Sequence, residues 1–411
     1  MKKFLLALLI LSFSMVCTAS SCTNTQVENT NQEEVTQISQ TQGNSYKMNE
    51  NFSDSVTYFG KNILTDVYKN KNTVVSPLSL HLAFDMLYNG AEGITEKEMK
   101  TTLGYPENMD KKAISEKSKE VMDFLKSNDS ITIEIANSLW AKKNFSIRPA
   151  FVENSKEYFY AEVKNEITKT LMNNWVSEKT HKKIKKIVDR VDNIDVALLN
   201  AIYFNGTWVK TFDKTRTQDQ DFTTLENKKI KVPMMYKFEN MPYYENDNYQ
   251  MVKLDYKGRM ASMYVFLPKE DKSIDDFIKN FSQEEFLNAS DNLDRAKVEL
   301  FLPKFKTECS FGLTKTIEKL GMKSAFGGGA DFRGIATGLF ISEVIHKTYI
   351  DVNETGTEAA AVTAIMMTKS AMPRPVPTKH MKIDRPFFFV IADSRTYTPI
   401  FMGAITKPEY K

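Results

Sequence analysis

Cysteine is nearly absent. The 411-residue chain has three, and Cys17 and Cys22 both lie at its start. Beyond them only Cys309 remains, so no disulfide can close within the folded part. Cys309 reads as a buried, inert thiol, because no histidine is placed beside it to make a nucleophile. Histidine is as scarce: His81, His181, His346 and His380 are scattered without ligand spacing, which excludes a metal cluster of ordinary pattern. There is no G-x-S-x-G elbow, no phosphate-binding loop and no dinucleotide fingerprint. The glycine run in "FGGGADF" neither follows a strand nor opens a helix, so it reads as a turn. An excess of either charge is missing too. With 55 basic and 52 acidic side chains the net charge is +3, which gives no electrostatic footprint for nucleic acid or an anionic bilayer. After residue 50 there is no Pro- or Gly-rich linker and no internal repeat. One large domain over 48–411 follows, and 42% hydrophobic with 26% charged residues makes it globular.

One long apolar run is present, Phe4 to Val16, preceded by Lys2 and Lys3. It is too short to span a bilayer but suits the core of a secretory leader. "TASSC" follows, and residues 1–21 resemble a bacterial lipoprotein signal, with Ala19 where leucine is usual. That resemblance implies lipidation of Cys22, export and a membrane anchor, facing the periplasm or the outside. The alternative is a cleaved leader with an incidental cysteine. Residues 22–47, rich in Thr, Asn, Gln and Glu without apolar period, read as a disordered tether.

The folded part changes character along its length. "NFSDSVTYFGKNILTDVYK", "AFVENSKEYFYAEV" and "MNNWVSEKTHKKIKKIV" carry apolar residues at helical spacing. "NTVVSPLSLHLAFDMLYNGAEG" reads as a short strand, a Ser-Pro helix start and a buried helix ending at Gly90. Later come strand-like runs: "ITIEIANSLWA", "DVALLNAIYFNGTW", "KVELFLPKF", "LFISEVIHKTYIDVNE", "PFFFVIAD" and "PIFMGAIT". Several are apolar without alternation, so their sheets are covered on both faces. The class is α+β with more than one large sheet.

Eight segments, "NTVVSPLSL", "LLNAIYFNGTW", "VELFLPKF", "LGMKSAF", "ADFRGI", "VIHKTYIDVNETGTEAAA", "RPFFFVI" and "PIFMGAITKP", fall in the order of the serpin family. The chain is identified by them as resembling a serpin over roughly residues 50–408. The stretch from Ala161 to Asn174 is a few residues shorter than in typical relatives. The resemblance implies three β-sheets, eight or nine helices and an exposed reactive-centre loop. It implies a monomer that uses no cofactor and no catalytic residue of its own. Such a protein inhibits serine proteases, with cysteine proteases as a further class, by a suicide-substrate route. The loop is cleaved, its N-terminal half inserts into the main sheet, and the acyl-enzyme is trapped from a metastable native state. A non-inhibitory serpin serving as a binding or chaperone module is the alternative. By the same resemblance Ser76, Ser79, Asn200 and His346 form a polar cluster where the sheet parts. Trp208 lies where the loop first enters, and Lys304 and Glu354 pair at the loop's base.

The loop sequence "NETGTEAAAVTAIMMTKSAMPRP" supports insertion on its own terms. A strand alternates its faces. With Thr357 inward, Ala359, Ala361, Thr363 and Ile365 also point in, while Glu358, Ala360, Val362 and Ala364 point out. Every inward side chain through Thr363 is small and uncharged, so insertion buries no charge. Gly356 is expected to supply the bend at the hinge. The family's usual distance from Glu354 reaches Ser370, and Lys369 just before it offers a cation to an acidic specificity pocket. Lys369–Ser370 is therefore the favoured scissile bond, with Ala371 after Ser370 and the methionines Met366, Met367 and Met372 as alternatives.

Overall fold

The computed structural model describes residues 52–127, 130–358 and 377–410. The leader, the tether, Cys22 and the loop positions from Ala359 through the scissile region lie outside the described residues.

In chain order, helix α1 covers 52–67, β1 Thr73–Val75, α2 Pro77–Gly90, α3 Gly93–Leu103, α4 Lys111–Lys126, β2 Ile131–Ala141, α5 Pro149–Phe159, β3 Glu162–Lys164, α6 Lys169–Lys179 and β4 Val196–Thr207. Strands then dominate: β5 Gln218–Thr223, β6 Lys229–Glu245, β7 Tyr249–Asp255, β8 Ala261–Pro268, then α7 Ile274–Asn280 and α8 Gln283–Asp291. The chain closes with β9 Asp294–Pro303, β10 Phe305–Gly312, α9 Thr314–Leu320, β11 Glu343–Val352, β12 Gly356–Thr357, β13 Thr378–Lys382, β14 Phe387–Asp393 and β15 Pro399–Ile405. The α+β class is confirmed, with nine helices among the described residues.

Hydrogen bonding joins the strands into two sheets where three were expected. One has six strands in the order β10-β11-β12-β4-β2-β3, and the other has nine. The reason is β6, which is 17 residues long. Its first part pairs with β5, its middle with β9 and its end with β7. Two sheets that would otherwise count separately therefore share one continuous strand.

Strand β4 explains the unbroken apolar run "VALLNAIYF". One face packs on the main core through Leu198, Ile202 and Phe204. The other packs under α6 through Ala197, Leu199 and Ala201, with Trp175, Met172 and Val176 from the helix. Helix α2 starts as its sequence demands. Ser76 is its N-cap and accepts a hydrogen bond from the Ser79 N–H at 3.3 Å, with Pro77 at the first helical position.

The helix expected over 172–188 stops at Lys179. The Thr180 hydroxyl accepts from the Ile184 N–H and donates to the Val176 carbonyl, which turns the chain back. His181 and Lys182 then adopt left-handed backbone. Lys182, Lys183, Lys185 and Lys186 would crowd like charges in one continuous helix, which disfavours it.

Candidate functional site

The six-stranded sheet is closed at one end and parted at the other. Strands β4 and β11 pair directly and in parallel from Ala197–Glu343 to Ile202–Thr348. Above that, β12 lies between them, with Thr357 opposite Val352 on one side and Gly206 on the other. Gly356 and Thr357 thus stand in the sheet as a wedge.

Close approach explains the glycine at 356. A Cβ there would collide with the Gly206 carbonyl and crowd the Thr207 backbone. Gly356 does not supply the bend, contrary to the sequence expectation. The left-handed residue is Glu358, with φ of 58°, an uncommon conformation for a side-chain-bearing residue.

Thr357 is fully buried, and its hydroxyl meets the Tyr256 hydroxyl at 2.6 Å. Tyr256 stacks on Trp208, centroids 4.4 Å apart. The Trp208 indole N–H donates to the Asn353 carbonyl at 3.0 Å, and its backbone N–H to the Thr355 carbonyl at 2.9 Å. Lys304 pairs with Glu354 at 3.0 Å, and the Thr217 hydroxyl donates to the same carboxylate at 2.8 Å. Burial raises the Glu354 pKa, but hydrogen bonds from its own backbone, Lys304 and Thr217 outweigh it and hold the carboxyl below its ordinary value. On the sheet's other face Glu358 forms an ion pair with Lys183, from the turn after α6. Outward here means under that turn rather than in water. Burial raises the Glu358 carboxyl pKa despite Lys183.

The polar cluster sits in the closed part of the sheet, below the wedge. His346 of β11 lies directly opposite Asn200 of β4. Its Nε2 accepts from the Ser76 backbone N–H at 3.0 Å, so Nδ1 carries the proton and donates to Asn200 Oδ1 at 2.5 Å. The Asn200 amide donates in turn to the Ser79 carbonyl at 2.9 Å, to Ser79 Oγ and to Asn137 Oδ1. Ser76 Oγ donates to the Ile400 carbonyl at 2.6 Å. Burial alone depresses His346 to about 3, so the imidazole is neutral at physiological pH. Nothing in this geometry makes a nucleophile, since Ser76 Oγ is committed to a carbonyl. Among the described residues no group of His, Cys, Asp or Glu could hold a metal ion.

The family model for serpins, serine protease inhibitors, matches residues 54–408. The chain belongs to the serpin family. An uncharacterised serpin-like protein of Methanosarcina mazei is 34% identical over 355 residues, covering 83% of this chain and 82% of the relative. Human neuroserpin is 31% identical over 372 residues, 83% of this chain and 87% of the other. Among solved structures, the native thermophilic serpin tengpin matches with a TM-score of 0.81 at 32% identity, covering 87% of this chain and 94% of tengpin. Human thyroxine-binding globulin, solved in complex with thyroxine, also gives 0.81, at 26% identity, with 88% and 100% covered. As a serpin the protein is not an enzyme.

In this serpin the sequence-singled Ser76, Ser79, Asn200 and His346 come together as one cluster. Trp208, Lys304, Glu354, Gly356, Thr357 and Glu358 gather at the loop root. Ala359, Ala360, Ala361, Val362 and Thr363 lie outside the described residues, as do Met366, Met367, Lys369, Ser370, Ala371 and Met372. Sequence reasoning missed Tyr256, Thr217 and Lys183, whose partners stand more than a hundred residues away in the chain. Asn137 was missed too, although an Asn-Ser pair inside the apolar run "ITIEIANSLWA" marks a buried polar site.

Proposed function

We propose that this serpin is a suicide-substrate inhibitor of serine proteases and that it acts as a monomer. The observation that carries the proposal is the wedge. Gly356–Thr357 already pairs with both β4 and β11, with Thr357 inward. The residues that follow have small, uncharged side chains at every inward position through Thr363, so continuing the strand would bury no charge. A protease attacking the loop forms an acyl-enzyme. Release of the loop's N-terminal half lets it extend the wedge between β4 and β11, carrying the protease along before water hydrolyses the ester. Cysteine proteases could be held by the corresponding thioester.

Trypsin-like targets follow from Lys369, with Lys369–Ser370 as the scissile bond. The test is a panel of serine proteases scored for SDS-stable complexes. Trypsin should give a complex joined through Lys369, and Lys369→Ala should slow it by about thirtyfold or more, since leaving an acidic pocket unpaired costs roughly 2–5 kcal/mol. Rapid cleavage with no complex by any protease would favour the binding-module reading, a use of the fold that thyroxine-binding globulin represents among similar structures.

We also propose export and anchoring through a lipidated Cys22, at the outer membrane. It rests on the charged start, the apolar run and "TASSC". The full-length protein should partition with membranes, and Cys22→Ala should not. Recovery of unaltered protein wholly in the soluble fraction sinks the anchor alone.

A further inference from the structure

A cationic cleft lies beside the loop's two roots. It is lined by Lys210, Lys237, Lys253, Arg259 and Arg295, against Glu239 and Asp255. Five cations against two anions leave the lining with an excess of three positive charges.

Its position is set by register. Trp208 and Val209 form one side, and the Trp208 N–H donates to the Thr355 carbonyl at the first root. Arg295 belongs to another side. It lies two residues before Lys297, the partner of Thr378, and β13 runs parallel to β9. The chain that enters β13 at Thr378 therefore arrives from the Arg295 end of β9. The cleft thus lies beside both described roots of the loop, Thr355 and Thr378.

The cations are unequally satisfied. Lys210 pairs with Glu239 at 2.7 Å and Lys253 with Asp255 at 3.5 Å. Lys237 lies mostly covered over the Phe212 ring, donates to the Lys210 carbonyl and stands 3.7 Å from Glu239. Burial pulls Lys237 down to about 8, Glu239 opposes this, and the adjacent Lys210 ammonium adds to it. Arg259 and Arg295 are exposed and have no ion pair among the described residues. Arg259 is held out on a turn, in left-handed backbone. The cavity measures about 70 Å³, well below the roughly 300 Å³ of an ordinary small-ligand site. It suits carboxylate side chains presented by a protein surface.

We propose that this cleft is a second docking surface for the attacking protease, and that it selects proteases with acidic side chains beside the active-site mouth. The inference rests on the inhibitor reading for its partner, but its readout does not require trapping. Charge complementarity at the rim of an interface acts mainly on the association rate.

The experiment compares anionic and cationic trypsin, which share a specificity pocket and differ in surface charge. The total rate of loop attack is measured, complex plus cleaved chain, for the full chain and for Arg259→Gln/Arg295→Gln. The unaltered protein should react about tenfold faster with the anionic enzyme, and this preference should shrink on raising salt. The double variant should lose most of the preference while its rate with cationic trypsin and its thermal midpoint stay unchanged. Equal rates with the two trypsins, no attack on the loop by the anionic enzyme, or a preference that survives in the variant would overturn the proposal. The partition between complex and cleaved product, read in the same tubes, reports separately on inhibition.

Discussion

Thr357→Arg should convert the protein from inhibitor to substrate. Thr357 is fully buried, with its hydroxyl on Tyr256, and an arginine there loses that partner and brings a charge into the sheet. An uncompensated buried charge costs roughly 3–5 kcal/mol. Because Thr357 already stands in the sheet, the charge should first drive the wedge out, and insertion must then rebury it; at about 1.4 kcal/mol per tenfold it slows by about a hundredfold or more, and deacylation overtakes it. Ala361→Arg should behave alike, because it shares the parity of Thr357. Ala360→Arg has the opposite parity and should do much less. Cleavage persists in all three, since the scissile region is untouched. The quantity to measure is the stoichiometry of inhibition, the moles of serpin consumed per mole of protease trapped. It should rise about tenfold or more for the inward pair and little for Ala360→Arg. Equal values for the three would show that strand alternation does not govern insertion.

Asn200→Ala should loosen the closed part of the sheet. Asn200 joins β4 to Ser79 of α2, to Asn137 of β2 and to His346 of β11. Its loss leaves the buried His346 Nδ1–H without its acceptor, at about 1–3 kcal/mol for that group alone. Destabilisation of about 3 kcal/mol is expected, read as a lower urea midpoint. His346 adds a pH dependence whose sign is fixed. Its folded pKa of about 3 lies below the ordinary value of 6.5, so the unfolded chain binds the extra proton first. Stability is unaffected by this group above about pH 6.5 and falls as pH drops toward 3, by about 2 kcal/mol at pH 5. His346→Gln should remove that share of the acid slope. An unchanged slope in the variant would mean that other groups account for it.

The class, the order of elements and the polar cluster were all legible in the sequence. The class and the order rest on local signals, such as the apolar run without alternation of β4 and Ser-Pro at the start of α2, whereas the cluster was legible only through the resemblance to serpins. What escaped depends on residues distant in the chain. Tyr256 and Thr357 meet across a hundred positions, and nothing around Tyr256 distinguishes it from other tyrosines. The bend was assigned to Gly356 because glycine tolerates left-handed backbone. In the structure glycine is needed for a different property, the lack of a side chain between β4 and β11, and Glu358 takes the bend while held by Lys183. The early stop of α6 was hidden because the apolar spacing continues to Val188. Ile184, Ile187 and Val188 do enter the small core with Trp175, but from a turn rather than a helix.

The wedge also has a consequence for timing. Opening the first pair between two bonded strands is a nucleation event, slow and without immediate reward. With Thr357 paired on both sides, that event would, under the proposed mechanism, lie in the past before any protease arrives. What remains is propagation in one direction, through the register pairs from Thr348–Ile202 down to Glu343–Ala197. A process that begins at a formed front has no lag, and its duration grows with the number of pairs replaced. The His346–Asn200 pair is the third in that series, so under the proposed mechanism the buried polar cluster would be met partway along the track rather than at its mouth.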